Sequence, residues 1–416
     1  MRIFCLQRVF PVGRRELLRG VVVLAALCVG PMGLAQTLAR PGWVGSGLTV
    51  NTWWRHAFVY AVDAHADGGL KGVTARMDAM QALGVDAMLL RGVQSGMEAG
   101  IDPAAGAMED FDEVLLQASR HNLRVLVELS PKTSSEDVTG VARFWLSRGV
   151  AGFRLVAAGD SAAQMRQLRA AAKSYVGERV MIGDAALSSI AVPVDPADGE
   201  SADASKGRRA DAPRSAVRAG DGPQLLLDAS IAVAPLNVAA IRMALEKNDS
   251  LSRAGTGVPM LATAEGAGGG PESGKVVATL LLSTRGGAMI RAGEEGSGEG
   301  AEAQALSRWY KQMSAMQHSN GTVRTGVSAV LNHDDQSVVA WVRRPQVVSY
   351  HSPAVVFLCN MTDKPVTLSL RSDMQGLKLK GNFLRTVMRT DEGMGAMSLD
   401  TVKVAPHGVY IGTLQY

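Results

Sequence analysis

The sequence predicts an α/β protein, a (β/α)8 TIM barrel followed by a small C-terminal all-β sandwich. Short apolar runs alternate with stretches of helical spacing eight times over about 270 residues, the arithmetic of a parallel barrel with helical crossovers. No Gly-x-Gly-x-x-Gly turn follows the first run, which leaves a doubly wound open sheet as the second choice. From residue 321 the texture changes to short alternating runs separated by turn residues, the pattern of a β-sandwich.

Each element has a local reason. Residues 57–62 form an apolar strand, and 72–83 carry Val73, Met77, Met80 and Leu83 at helical spacing. The beat continues through strand 85–90, helix 108–122, strand 124–129, helix 138–148, strand 151–156, helix 162–176 and strand 179–183. Residues 193–222, rich in Asp, Ala, Ser, Gly and Arg with almost no large apolar side chain, read as a flexible surface excursion. Strand 224–227, helix 238–247, strand 258–262, helix 275–284, strand 288–291 and helix 302–317 complete the eight units. Beyond them, 338–342, 354–360, 365–370 and 409–414 are the sandwich strands.

The 416 residues, 47% hydrophobic, 20% charged and 5% aromatic, suffice for two or three domains and exclude wholesale disorder, a collagen-like fibre and a multi-span membrane protein. Arg2, Arg8, Arg14, Arg15 and Arg19 precede an apolar stretch ending in Gly33-Leu34-Ala35, so residues 1–35 read as a cleavable export signal and 36–47 as a linker. Arg14-Arg15-Glu16-Leu17-Leu18-Arg19 resembles a twin-arginine signal, with a general secretory signal as the alternative. The apolar stretch falls short of the roughly 20 residues a bilayer span needs, so no stable membrane span is expected after cleavage.

Removing five arginines and Glu16 from 43 basic and 39 acidic residues leaves 38 of each. The mature chain therefore has no electrostatic footprint for nucleic acid. Of three cysteines only Cys359 remains, which excludes an intramolecular disulfide and a cysteine-based metal site. Seven unclustered histidines give no metal centre either, and no cofactor is expected. The barrel is assigned to residues 48–320 and the sandwich to 321–416.

Several blocks together carry a resemblance. They are Trp53-Trp54-Arg55-His56-Ala57-Phe58-Val59-Tyr60, Leu70-Lys71-Gly72-Val73, Leu83-Gly84-Val85-Asp86-Ala87, Gly106-Ala107-Met108-Glu109-Asp110-Phe111-Asp112, the stretch 143–154 ending in Gly152-Phe153-Arg154, residues 280–286, Gly293-Glu294-Glu295-Gly296 and Trp309-Tyr310. In order and spacing they resemble the α-amylase superfamily, glycoside hydrolase family 13, with its oligo-1,6-glucosidase and α-glucosidase branch nearest. The resemblance runs over nearly the whole mature chain and implies the same barrel with an all-β C-terminal domain.

It also implies three carboxylates at strand C-termini, where this chain departs from the pattern. The position of the nucleophile, two residues after Arg154, is Val156. The acid/base position offers Asp184, one methylene shorter than the family's Glu, and the third carboxylate is matched by Glu265 without its neighbouring His. Both carboxylates have an alternative reading as solvated loop groups. Thr133 stands where the family carries a His, and only residues 130–137 fill the place of its inserted domain, a shortening expected to expose apolar surface. Arg154 is expected to bridge barrel carboxylates and to touch the sugar site.

Other residues have structural readings. Glu128 and Asp228 read as hydrogen-bonded supports, and Trp53-Trp54 as barrel-bottom packing. Asn332-His333-Asp334-Asp335-Gln336 imitates the family's catalytic letters but reads as a turn between β strands.

The expected function is an exported α-amylase-family-like protein of carbohydrate metabolism that is catalytically silent or impaired. It would bind an α-glucan, an α-glucoside or a protein partner, much as amino-acid transporter heavy chains resemble this family without its catalysis. The alternative is an active α-glucosidase-type hydrolase or transglycosylase using Asp184, Glu265 and a relocated nucleophile, for which Asp160 is nearest in sequence.

Overall fold

The computed structural model describes residues 53–66, 68–94, 96–133, 136–156, 161–184, 187, 221–253, 260–263, 271–296, 298–345, 352–393 and 395–416. The export segment, the linker, residues 193–220 of the excursion, Asp160 and Glu265 lie outside the described residues.

Parallel strands β1 (Phe58–Asp63), β2 (Ala87–Arg91), β3 (Arg124–Leu129), β4 (Gly152–Leu155), β5 (Val180–Asp184), β6 (Leu225–Asp228), β7 (Met260–Thr263) and β8 (Gly287–Arg291) follow one another around a closed barrel. β1 pairs with β8, Phe58 opposite Ala288, to close the ring. The crossovers are α1 (Gly69–Ala75), α2 (Met77–Leu83), α3 (Met108–Arg120), α4 (Thr139–Arg148), α5 (Ala162–Ala172), α6 (Ser230–Val233), α7 (Val238–Arg253), α8 (Pro271–Ser283) and α9 (Ala301–Ser319). The helix expected over 72–83 is two helices, because the chain turns at Arg76 (φ −94°, ψ −1°), which ends one and starts the other.

Strands buried on both faces read as continuous apolar runs, and side-chain alternation sorts them into two layers. Val59, Ala61, Leu89, Leu126, Val180, Ile182, Leu225, Leu261 and Met289 fill the barrel interior. Phe58, Tyr60, Met88, Leu90, Val125, Val127, Phe153 and Met181 face the helices. At Gly152 a Cβ would lie 2.0 Å from the carbonyl oxygen of Val180, so only glycine lets β4 approach β5 there.

After α10 (Gly321–Thr325), the chain forms β9 (Val327–Leu331), β10 (Val338–Arg344), β11 (Val355–Asn360), β12 (Val366–Leu368), α11 (Arg371–Gly376), β13 (Phe383–Arg389), β14 (Ala396–Ser398), β15 (Val402–Val404) and β16 (Val409–Gln415). Six strands make one sheet in the order β14-β13-β16-β11-β10-β9, and β12 pairs with β15. One face of the large sheet, with Ala340, Val356, Leu358 and Tyr410, packs with Leu368, Val402 and Val404 of the small one. The other face, with Val339, Trp341, Phe357 and Ile411, joins the core outside the barrel. There the Trp341 indole stacks on Phe357 at 5.2 Å and donates to the Ser283 hydroxyl at 3.2 Å.

At the N-terminal end of the barrel, Asp86 accepts from the Phe58 N–H and from His318 Nε2, both at 2.9 Å, while His318 Nδ1 lies 2.8 Å from the Ser314 carbonyl oxygen. Both ring nitrogens face acceptors, and the Asp86 carboxylate raises the imidazole above its ordinary 6.5. A raised base stabilises the fold fully below pH 6.5, and that contribution is lost as pH rises through the folded value. With the ring 39% exposed, solvent screening limits the effect to about 0.5–1 kcal/mol. The expected result is that chemical denaturation of native protein and His318→Gln differs at pH 6 and converges toward pH 9; a constant gap would refute the ion pair.

Candidate functional site: the barrel mouth

One inward step beyond the apolar layer, each strand presents its last interior residue at the C-terminal rim. Alternation from the interior core places Asp63 on β1, Arg91 on β2, Glu128 on β3, Arg154 on β4, Asp184 on β5, Leu227 on β6, Thr263 on β7 and Arg291 on β8. Around the first five strands the charges alternate in sign, and the register sets Asp63 beside Arg91 and Glu128 beside Arg154.

Glu128 is the hub. Its Oε2 accepts from Arg154 Nη1 at 2.9 Å, and its Oε1 lies 3.6 Å from Arg91 Nε. The Glu128 and Arg154 side chains are only 11% exposed, so the carboxylate is held between two guanidiniums at low solvent access. The expected role of Arg154 as a bridge to a barrel carboxylate is what its geometry shows, and Glu128 is the support anticipated. Arg91 was missed; its signal is a single arginine ending an otherwise apolar strand.

Val156 lies just past β4, half-buried, with its N–H donating to the Leu129 carbonyl at 3.0 Å. Two residues beyond Arg154 it keeps the inward side, so the nucleophile position holds a branched alkyl group. Asp184 is the half-buried last residue of β5, opposite Leu227. Among the described residues, inward carboxylates therefore stand on β1, β3 and β5, each separated from the next by an arginine strand. At the ordinary strand spacing the backbones of these carboxylate-bearing strands lie roughly 10 Å apart. Among the described residues no group of three or more His, Cys, Asp or Glu is placed to hold a metal.

The remaining candidates fall elsewhere. Asp228 points outward and is consumed by the Ser230 N–H at 2.9 Å, the Ser230 hydroxyl at 2.5 Å and Asn248 Nδ2 at 2.9 Å. Trp54 closes the interior from below, and Trp53 carries the Arg124 guanidinium 4.3 Å from its ring. Asn332 to Gln336 form the β9–β10 turn, in which the Asp335 carboxylate accepts the Ser337 and Val338 N–H groups.

Two rim loops are pinned from outside. Trp145 Nε1 donates to Gln94 Oε1 at 2.5 Å, and Gln94 Nε2 donates to the Glu98 carbonyl at 2.6 Å, which shapes the loop after β2. The short loop after β3 is fastened by Gln164 Nε2, which donates to the Thr133 carbonyl at 2.9 Å and to the Glu136 carbonyl at 3.1 Å. The expected exposed apolar surface is not found among the described residues of that loop, where Pro131 is buried and Lys132 and Thr133 are exposed. Met97 and Ile101 of the neighbouring loop pack into the core.

A closed (β/α)8 barrel with its charged residues gathered at the strand C-termini is followed by an antiparallel C-terminal sandwich. The chain resembles the α-amylase superfamily. No protein-family model matches it. It is 26% identical over 174 residues to the amino acid transporter heavy chain SLC3A2 of Oryctolagus cuniculus, covering 34% of this chain and 33% of that one. It is 33% identical over 95 residues to a probable alpha-glucosidase of Rhizobium meliloti, covering 18% and 17%. The chain thus spans a third or less of these relatives' length. In fold it matches the Bacillus licheniformis trehalose-6-phosphate hydrolase with a TM-score of 0.65 at 12% identity, over 88% of this chain and 100% of that one. Isomaltulose synthase from a Klebsiella species matches with a TM-score of 0.64 at 13% identity, over 87% and 99%.

Proposed function

We propose that the mature chain is an exported, catalytically silent relative of the α-glucosidase-type hydrolases, which binds an α-glucan or α-glucoside at the barrel mouth. The observation that carries this reading is the mouth itself: Glu128 is held between Arg91 and Arg154, while Val156 occupies the nucleophile position. Without that nucleophile the covalent glycosyl intermediate of a retaining enzyme cannot form. Resemblance to glucoside-acting enzymes supports a glycan ligand, with Arg154 as the group nearest the sugar. Resemblance to a transporter heavy chain supports the second reading, a scaffold for a protein partner, because that match covers more of this chain than the glucosidase match does. Export rests on the N-terminal signal pattern of residues 1–35.

The test is hydrolysis of α-glucosides and maltooligosaccharides by the mature protein, with calorimetric binding alongside. Turnover on the order of 10⁶-fold below that of an intact retaining enzyme is expected, the scale on which losing a nucleophile acts. Val156→Asp is expected to give measurable turnover where the sugar still binds. Native turnover abolished by Glu265→Gln would instead establish an active enzyme with a rearranged carboxylate set. Absence of both turnover and sugar binding would remove the glycan and leave the protein partner.

A further inference from the structure

At the N-terminal end of the barrel, away from the mouth, four elements bring four arginines and a histidine together. Arg55 and His56 lie on the turn before β1, Arg285 between α8 and β8, Arg324 on α10 and Arg343 on β10. Arg343 follows Val339 and Trp341 on the face of the large sheet turned to the barrel and is fully buried. Its Nε and Nη2 both donate to the Val323 carbonyl of α10, at 3.2 and 2.9 Å, while its buried Nη1 has no hydrogen-bond partner. His56 is half-buried, donating to the Gly286 carbonyl, with its Nδ1 atom buried and without a hydrogen-bond partner. The charged groups facing His56 are Arg324, Arg343 and Arg55, all cationic; Arg285 and the acid Asp249 of α7 face Arg343.

We propose that His56 is an acid-sensitive latch between the barrel floor and the C-terminal sheet. Neutral, the ring fits among Arg55, Arg324 and Arg343; protonated, it adds a half-buried cation to these arginines and loosens α10 and β10 from the barrel. The two buried polar atoms without a hydrogen-bond partner, His56 Nδ1 and Arg343 Nη1, mark where an added charge is poorly solvated. Burial first, then the neighbouring arginines, lowers the imidazole from 6.5 to about 3. A base lowered in the folded state leaves stability intact above pH 6.5 and removes it as pH falls toward 3. Below the unfolded value the folding equilibrium constant approaches a tenfold drop per pH unit, which amounts to about fiftyfold between pH 6.5 and 4.5. His318 acts in the opposite sense and cannot imitate this loss.

The test compares denaturant unfolding of the full chain and of His56→Gln, which keeps a donor for Gly286, at pH 6.5 and 4.5. Amide exchange at α10 and β10 is followed in parallel. The native chain is expected to lose about fiftyfold more of its folding constant than the variant, with faster exchange first at those two elements. Equal losses in the two proteins would overturn the latch. Should His56→Gln not fold, an NMR titration of the labelled native chain decides: a His56 ring still neutral at pH 5 supports the proposal, and titration near 6.5 overturns it.

Discussion

Glu128→Ala is expected to destabilise the barrel by about 3–5 kcal/mol, the cost of removing one partner from a buried ionic group and leaving the others in place. The reason is geometric. Arg91 and Arg154, 29% and 11% exposed, stand on either side of β3 and share this carboxylate, itself 11% exposed, so its loss takes a charged partner from both guanidiniums. Glu128→Gln keeps an acceptor for Arg154 and should cost less, about 1–3 kcal/mol. Replacing all three by apolar residues of similar volume should come close to neutral, because the desolvation of the ions is then removed together with their attraction. Equilibrium denaturation of the four proteins checks the series. A mouth that tolerates Glu128→Ala with no loss, or a triple variant worse than the single one, would show that the bridge does not govern the stability of this rim.

The barrel was legible because its strands are buried on two faces and its helices on one, so the apolar pattern switches period at each boundary. The sandwich was only half legible. Residues 338–343 and Val355–Asn360 are buried throughout and stood out, whereas Phe383–Arg389 buries only Leu384 and shifts register between Thr386 and Met388. Three-residue strands such as Ala396–Ser398 are too short to show a period. At the mouth, Arg154 and Val156 were readable because two residues of strand keep one face. Arg91 was not, since a lone arginine closing an apolar strand carries no sign of the carboxylate it will meet 37 positions later. The cations gathered around His56 come from segments up to 288 residues apart, and no local pattern announces them.

Long-range pairing of the same kind governs the contact between the barrel and the sandwich, and Arg242→Ala is expected to cost about 3 kcal/mol there. Arg242 sits on α7 with 8% exposure. Its Nη1 donates to the His333 carbonyl at 2.7 Å, and its Nη2 to the Asn332 and Asp335 carbonyls at 2.9 Å each. Those carbonyls belong to the turn whose letters imitate a glycosidase motif, and they converge because Asn332 adopts a left-handed conformation at φ 55°. Hydrogen bonds from a charged donor contribute about 1.5–3 kcal/mol each, and three from one group do not add fully. Arg242→Lys should lose most of the same stability, because a compact ammonium lacks the planar fork that reaches three acceptors at once. Melting of the two variants, with amide exchange of the turn, is the measurement. A lysine variant as stable as the native chain would mean that charge alone, rather than the fork, holds the sandwich turn against α7.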